Sequence, residues 1–429
     1  MKLRSLFAVA ALEALSLYSA ITLPAPAERI HCGSPEESVV KGAYYTGRYD
    51  DLFAELLLIS ESSIDQTIDS AFTLLFFGDG QSQRICYTGI SDTTIAYIED
   101  IANEDVRTEG MSYGMMIAVQ MNRKDLFDKI WKWAKTYMQV KGGPHKGYFA
   151  WHCRTDGTII DSNAASDGEE WFVMSLYFAS ARWGDGVGIF DYRNEADNIL
   201  NTMLHKEEEP GHDGVTDMFD KTRKLVVFVP TEEADWFTDP SYQLPHFYEL
   251  WSMLGARDRA FWAEAADSSR DLLRGAADPK TGLSPDYCMF DGTPVTSWRG
   301  RHGDFRFDAW RVAMNVAVDY EWFGKCDWEV TECNRLLDFF TGRGIASYGN
   351  QYRLDGTELS GDHSTGLVAM NAVAALASTN PDRKNFVEAL WNTPVPSGRY
   401  RYYDGMLYML AMLQVGGRFR IYGPGGGPY

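Results

Sequence analysis

The chain has 429 residues, 45% of them hydrophobic and 14% aromatic, which excludes a disordered or low-complexity protein. Sixty acidic residues against 40 basic ones give a net charge of −20. With no Lys/Arg run to offset that balance, the sequence speaks against partners that are nucleic acids or anionic membranes. An acidic chain this rich in rings suits a neutral ligand, and sugars that stack on aromatic faces come first.

Lys2 and Arg4 precede an apolar stretch from Leu6 to Ile21, interrupted only by Glu13, and Ala25-x-Ala27 follows as a cleavage pattern. This reads as a signal peptide over 1–27 and a secreted, soluble mature chain over 28–429. A membrane anchor is the weaker alternative, because the stretch falls short of the roughly 20 residues of a spanning helix. Six cysteines are compatible with disulfides in an oxidising compartment, and Cys326 with Cys333 is the expected local pair. Cys153 reads as a buried thiol. There is no CxxC and no clustering of His with Cys, so neither a metal nor another cofactor is expected. No N-x-S/T site is present.

Apolar residues at helical spacing predict helices at 63–77, 109–121, 124–138, 167–183, 192–205, 240–255, 258–276, 308–323, 329–342, 365–378, 381–391 and 401–415. Pro240 suits a first turn, and Gly184, Gly255 and Gly324 mark ends. Twelve helices in pairs are the count of an all-α (α/α)6 barrel of six helical hairpins, in one domain. Short links (122–123, 256–257, 379–380) alternate with long ones (139–166, 206–239, 277–307, 343–364). If helices alternate in direction, the long links share one end of the barrel and build a groove there. The run Leu225–Val229 reads as a strand-like decoration of that end.

Three acidic helix starts are candidates for the chemistry. Glu109 opens an apolar helix beside Gly110, where desolvation would raise its pKa as a general acid requires. It also suits a plain dipole-complementing residue. Asp167, in Ala165-Ser-Asp-Gly-Glu-Glu-Trp171, reads by default as an N-cap, and Gly168 beside it would let a sugar ring approach the backbone. Asp308 forms an i,i+3 pair with Arg311 that is either structural or keeps a base ionised.

These residues carry a resemblance. The segments RTEGMSYGMM (107–116), ASDGEEWF (165–172) and FDAWRVAMNVAVDYEWFG (307–324) are similar to those of glycoside hydrolase family 8, over about Gly42 to Tyr422. GYFAWHC (147–153), DPSYQLPHFYELW (239–251), LWNTPV (390–395) and RYYDGMLYMLAML (401–413) resemble its reducing-end xylose-releasing exo-oligoxylanases rather than its endoglucanases. The resemblance implies an (α/α)6 barrel and an inverting hydrolase acting on β-1,4-xylo-oligosaccharides; a monomer is expected. Glu109 would be its general acid, Asp308 its general base, and Asp167 the residue that holds the distorted central sugar. The resemblance further implies that His363 recognises the reducing-end xylose while its loop blocks longer products. The sequence departs from the branch in Gly361-Asp-His-Ser-Thr-Gly366 and in Arg306-Phe307, which bears on exo preference.

Arg311 with Tyr402 or Tyr403 is expected to orient the base and its water. Tyr113, Trp151, Trp171 and Tyr242 are candidate sugar platforms. Trp131, Trp133, Trp183, Trp251, Trp322 and Trp391 lie on helical faces and read as core or rim. Endo-cleavage of xylan, β-1,4-glucan or chitosan is the alternative activity. A uronate lyase fits poorly with the acidic balance, and a non-catalytic sugar binder ranks last because both carboxylic acids are present.

Overall fold

The computed structural model describes residues 42–89 and 91–423, which belong to one compact unit, Cys32–Tyr429. The signal-peptide reading over 1–27 lies outside the described residues. Two short helices, α1 (Ala43–Thr46) and α2 (Leu52–Leu57), precede the twelve that the periodicity predicts. Those are α3 (Glu61–Phe77), α4 (Thr108–Gln120), α5 (Lys124–Trp133), α6 (Ser166–Trp183), α7 (Tyr192–His205), α8 (Pro245–Leu254) and α9 (Arg259–Ala276). They continue with α10 (Trp310–Phe323), α11 (Asp327–Arg343), α12 (Thr365–Ala374), α13 (Arg383–Asn392) and α14 (Arg401–Val415).

Several boundaries differ from the sequence reading; the expected 365–378 helix, for one, ends at Ala374 and passes into a 3-10 turn, Ala375–Ala377. The segment 240–255 is not one helix: Pro240–Tyr242 form a 3-10 turn, Gln243 and Leu244 leave helical geometry, and α8 starts anew at Pro245. Pro245 has no N–H to continue a ladder and disfavours helical geometry in the residue before it. The last turn of the predicted 124–138 helix widens into a π-turn, Ala134–Met138. Asp308 lies in a 3-10 turn, Phe307–Ala309, that leads into α10.

Alternate helices form two concentric rings. α4 packs on α6, α6 on α8, α8 on α10, α10 on α12 and α12 on α14, and α14 returns to α4 to close the inner ring. Each outer helix backs an inner one: α5 on α4, α7 on α6, α9 on α8, α11 on α10, α13 on α12 and α3 on α14. An inner helix meets protein on every side, so its sequence is apolar or small all round. In α4 every residue except Glu109 is buried, and in α12 every residue except Thr365. Outer helices bury only a stripe, as α5 does with Leu126, Phe127, Ile130, Trp131 and Trp133.

The links from inner to outer helices are short and those from outer to inner are long, apart from 393–400. All the described strands lie in the long links, as small antiparallel pairs and one three-stranded sheet of Asp105–Arg107, His152–Arg154 and Ile159–Asp161. The predicted run 225–229 is a strand only at Leu225–Val226, paired with Phe219–Asp220. The six inner helices therefore present their N-termini at the end covered by the long links.

Cys153 is a buried free thiol, but the expected Cys326–Cys333 pair does not form. Cys326 is disulfide-bonded, whereas Cys333 is free. Cys326 caps α11 and Cys333 lies two turns along it, about 10 Å by helical rise and beyond the Cα separation that a disulfide spans. Among the described residues no helix is long and apolar enough to cross a membrane.

A buried ion cluster ties the two rings together. Arg270 on α9, 1% exposed, donates from Nε and Nη2 to Asp319 on α10 (2.7 and 2.9 Å) and from Nη1 to Glu249 on α8 (2.9 Å). Removing one partner of such a group leaves uncompensated buried charge, at a cost of about 3–5 kcal/mol. Arg270→Met should lower unfolding stability by about that much in denaturant titration.

Candidate active site

Four carboxyl groups gather at the end where the inner helices start, around one guanidinium. Arg311, 2% exposed on the first turn of α10, faces Glu109 Oε1 (2.6 Å), Tyr113 Oη (2.9 Å) and Asp167 Oδ2 (3.0 Å) with Nη1. Its Nη2 donates to Asp308 Oδ1 (2.9 Å) and lies 4.0 Å from Asp239 Oδ2. Asp308 and Arg311 are one helical turn apart, so the i,i+3 pair forms. The same arginine also reaches across the barrel to α4 and α6.

The carboxyls differ in exposure. Asp167 and Asp239 are buried at the floor, whereas the side chains of Glu109 (17% exposed) and Asp308 (30%) open toward solvent. Asp167 is not the plain cap its sequence suggests. Ala165 occupies the capping position of α6 without a side-chain bond, and Asp167 turns to Arg311 instead.

Burial pushes the Glu109 carboxyl up to about 7; Arg311 opposes that, and the nearby Asp167 and Asp308 add to it. Burial likewise raises Asp167 to about 6, again against the pull of Arg311. Asp239 is held well above the usual carboxylate range, by burial first and then by Asp308. One guanidinium does not offset the burial of Glu109, Asp167 and Asp239, so their protonated forms are favoured.

All of these groups except Asp239 line a cleft of about 420 Å³, within the usual range for small-molecule sites. Glu109, Asp167, Asp308, Arg311, Trp151 and Tyr242 all reach it. The Trp151 carbonyl accepts from the Thr108 N–H at 3.0 Å, which ties that ring to the start of α4. Tyr242 stacks at 18° on Phe228, with the Arg311 guanidinium 5.7 Å from its ring.

Other candidate residues take different places. Trp171 is a correction: it is 2% exposed, one turn into α6, and packs edge-on against Tyr113 (4.7 Å) and Phe247 (4.9 Å), so no face is free for a sugar. Tyr113 is likewise buried and is not a platform; its hydroxyl holds Arg311 from below. Tyr402 serves the other carboxyl from the one expected, donating to Glu109 Oε2 at 3.3 Å. Tyr403 donates to the Phe307 carbonyl (2.9 Å), one residue before Asp308. His363 stands exposed just before α12 and outside the cleft lining, its Nδ1 fixed on the Tyr348 carbonyl at 2.9 Å.

The cleft also contains residues not singled out from sequence: Arg107, Phe228, Tyr287, Trp298 and His302 line it, and Asp239 lies beneath. Asp239 was legible only as the residue before Pro240. Arg107 opens the 107–116 motif and Phe228 belongs to the strand-like run, while the others sit in long links whose periodicity carries no signal. Among the described residues no group of three or more His, Cys, Asp or Glu is placed to hold a metal ion.

Two substitutions test this geometry. A Cβ on Gly110 would stand 2.5 Å from Tyr402 Cε2, so Gly110→Ala should displace Tyr402 from Glu109 and lower turnover by about tenfold or more. Arg311→Lys leaves a single ammonium that cannot reach both sets of partners. It should lower kcat/KM by about a hundredfold or more in steady-state assays.

Comparison with known proteins matches this architecture to glycosidases. The family of glycosyl hydrolases family 8 matches residues 90–417. The reducing-end xylose-releasing exo-oligoxylanase Rex8A of Paenibacillus barcinonensis is 46% identical over 388 residues, 89% of this chain and 99% of that one. The reducing end xylose-releasing exo-oligoxylanase of Halalkalibacterium halodurans is 45% identical, covering 91% and 98%. The crystal structure of a catalytic mutant of a Teredinibacter turnerae xylanase, in complex with xylohexaose, superposes with a TM-score of 0.85 at 46% identity, over 89% of this chain and all of that one.

Proposed function

The chain belongs to glycosyl hydrolase family 8, and we propose that it is an inverting hydrolase that releases xylose from the reducing end of β-1,4-xylo-oligosaccharides. The observation that carries the assignment of roles is the shared guanidinium: Arg311 holds Glu109 on one nitrogen and Asp308 on the other. Glu109, with a pKa near 7, is protonated often enough at neutral pH to give its proton to the glycosidic oxygen as that bond breaks. Asp308, the more exposed of the two, takes a proton from a water that attacks the anomeric carbon from the opposite face. Inversion requires the carboxyls to stand about 6.5–9.5 Å apart to admit that water, and attachment to different nitrogens of one guanidinium is compatible with such a gap. Asp167, buried and held by the same Arg311 nitrogen as Glu109, would hold the hydroxyls of the distorted central sugar. Trp151 would offer a ring face to the sugars, whereas Tyr242, buried against Phe228 and Arg311, lines the cleft without a free face.

Xylose as substrate, and its release from the reducing end, rest on the likeness to the exo-oligoxylanases. The xylohexaose complex of the Teredinibacter turnerae xylanase favours a second reading, endo-cleavage of xylan by the same chemistry. A time course on xylotetraose carrying 18O at its reducing-end anomeric carbon separates the two. Early labelled xylose with unlabelled xylotriose supports exo action, and xylobiose from the outset supports endo. His363→Ala should weaken reducing-end selectivity while turnover persists; an unchanged product pattern removes His363 from that role. The chain is also read as secreted, which N-terminal sequencing of protein from the culture medium would test.

Glu109→Gln and Asp308→Asn should each cut kcat by about 10²–10⁴-fold or more with melting unchanged. Near wild-type turnover in either variant would end the assignment. The general acid works only when protonated, so kcat/KM of the wild type should fall as pH rises through about 7.

A further inference from the structure

We infer that His302, fixed by Asp286 and Tyr287, is a sugar-binding residue that accepts or donates a hydrogen bond to a xylose hydroxyl through Nε2. The inference rests on the functional reading above. His302 belongs to the long link between α9 and α10 and lines the cleft together with Tyr287, Trp298 and Asp308. Its Nδ1 meets Asp286 Oδ2 at 2.6 Å, and its ring lies on Tyr287 with centroids 4.0 Å apart and planes within 9°. The backbone repeats the join: the Tyr287 N–H donates to the His302 carbonyl at 2.8 Å, and the Asp286 N–H to the Asp304 carbonyl at 3.0 Å.

Such a ring cannot rotate or flip freely. The Asp286 carboxylate accepts a hydrogen bond from Nδ1–H, which leaves Nε2 as the free edge. Among the described residues Nε2 makes no hydrogen bond, and it is not among the buried unpaired atoms. Gly300 keeps that edge clear, since a Cβ there would stand 3.1 Å from Nε2. The Asp286–Cys288 segment is bonded through Cys288 to Thr238, the residue before Asp239, so the imidazole is fixed relative to the carboxyl floor. A preorganised imidazole nitrogen, on a side chain 21% exposed beside ring faces, is what a sugar hydroxyl needs. A loop tie that used only Nδ1 would not require an open Nε2.

Two amides separate these roles, because Asn places its amide near the Nδ1 position and Gln near Nε2. Affinity for xylotriose is measured by calorimetry in the Glu109→Gln background, where cleavage does not interfere. His302→Ala and His302→Asn should weaken binding about tenfold, and His302→Gln should stay within about threefold, with melting temperatures unchanged. Full affinity in His302→Asn with loss in His302→Gln would reduce His302 to a loop tie. Unchanged affinity in all three variants would likewise overturn the inference. If the wild type does not cleave xylotriose and Glu109→Gln does not bind it, the functional reading fails, and this inference with it.

Discussion

A single buried cation sets the terms for everything at the open end of the barrel. Arg311 is surrounded by Glu109, Asp167, Asp239 and Asp308, which come from four different segments. Carboxylates brought that close repel one another and lose hydration, so without the guanidinium the inner helices could not converge there at modest cost. With it the charge is only partly balanced, and the excess is relieved by protonation. Burial is the first cause of the raised pKa values of Glu109, Asp167 and Asp239, and the neighbouring carboxyls add to it. A family of hydrolases that needs a protonated acid near neutral pH obtains one here by crowding and burial rather than by a dedicated neighbour.

The fold supplies this crowding by its connectivity. Because each long link runs from an outer helix to an inner one, all six inner N-termini face the same end, and their positive dipole ends face the carboxyls. The inner ring is filled largely by small and apolar side chains, and the carboxyls of the site sit at the first turns, where solvent and the arginine are within reach. Glu109 shows this most plainly, as the only residue of α4 that is not buried. Gly110 and Gly168 serve the same convergence: a Cβ on Gly110 would meet Tyr402, and one on Gly168 would stand 2.5 Å from the Thr108 side chain.

The aromatic residues divide by the same rule. Rings on inner helices past the first turn, such as Tyr113 and Trp171, are consumed by packing against neighbouring helices. Rings on the long links, such as Trp151, Tyr287 and Trp298, reach the cleft. Tyr242 does so from the 3-10 turn that Pro245 separates from α8. A proline that breaks a helix thereby places a residue of the site.

Local sequence determined a great deal. Helical periodicity gave the twelve helices, because an inner or outer helix must carry its burial pattern in its own residues, and alternating link lengths gave the common end. Acidic residues at helix starts marked Glu109, Asp167 and Asp308 as candidates, although each position also suited an ordinary cap, dipole or pairing role. Tertiary structure alone decided the rest. That Arg311 serves Glu109 and Asp167 as well as its own neighbour Asp308, that Tyr402 serves the acid, that Trp171 faces inward, and that Cys326 does not pair with Cys333 all depend on helices far apart in sequence, or on the rigid rise along one helix. His302 and Asp286 met through a link with no period to read. Pairwise distances between such segments are set by how the rings close, and no local pattern encodes them.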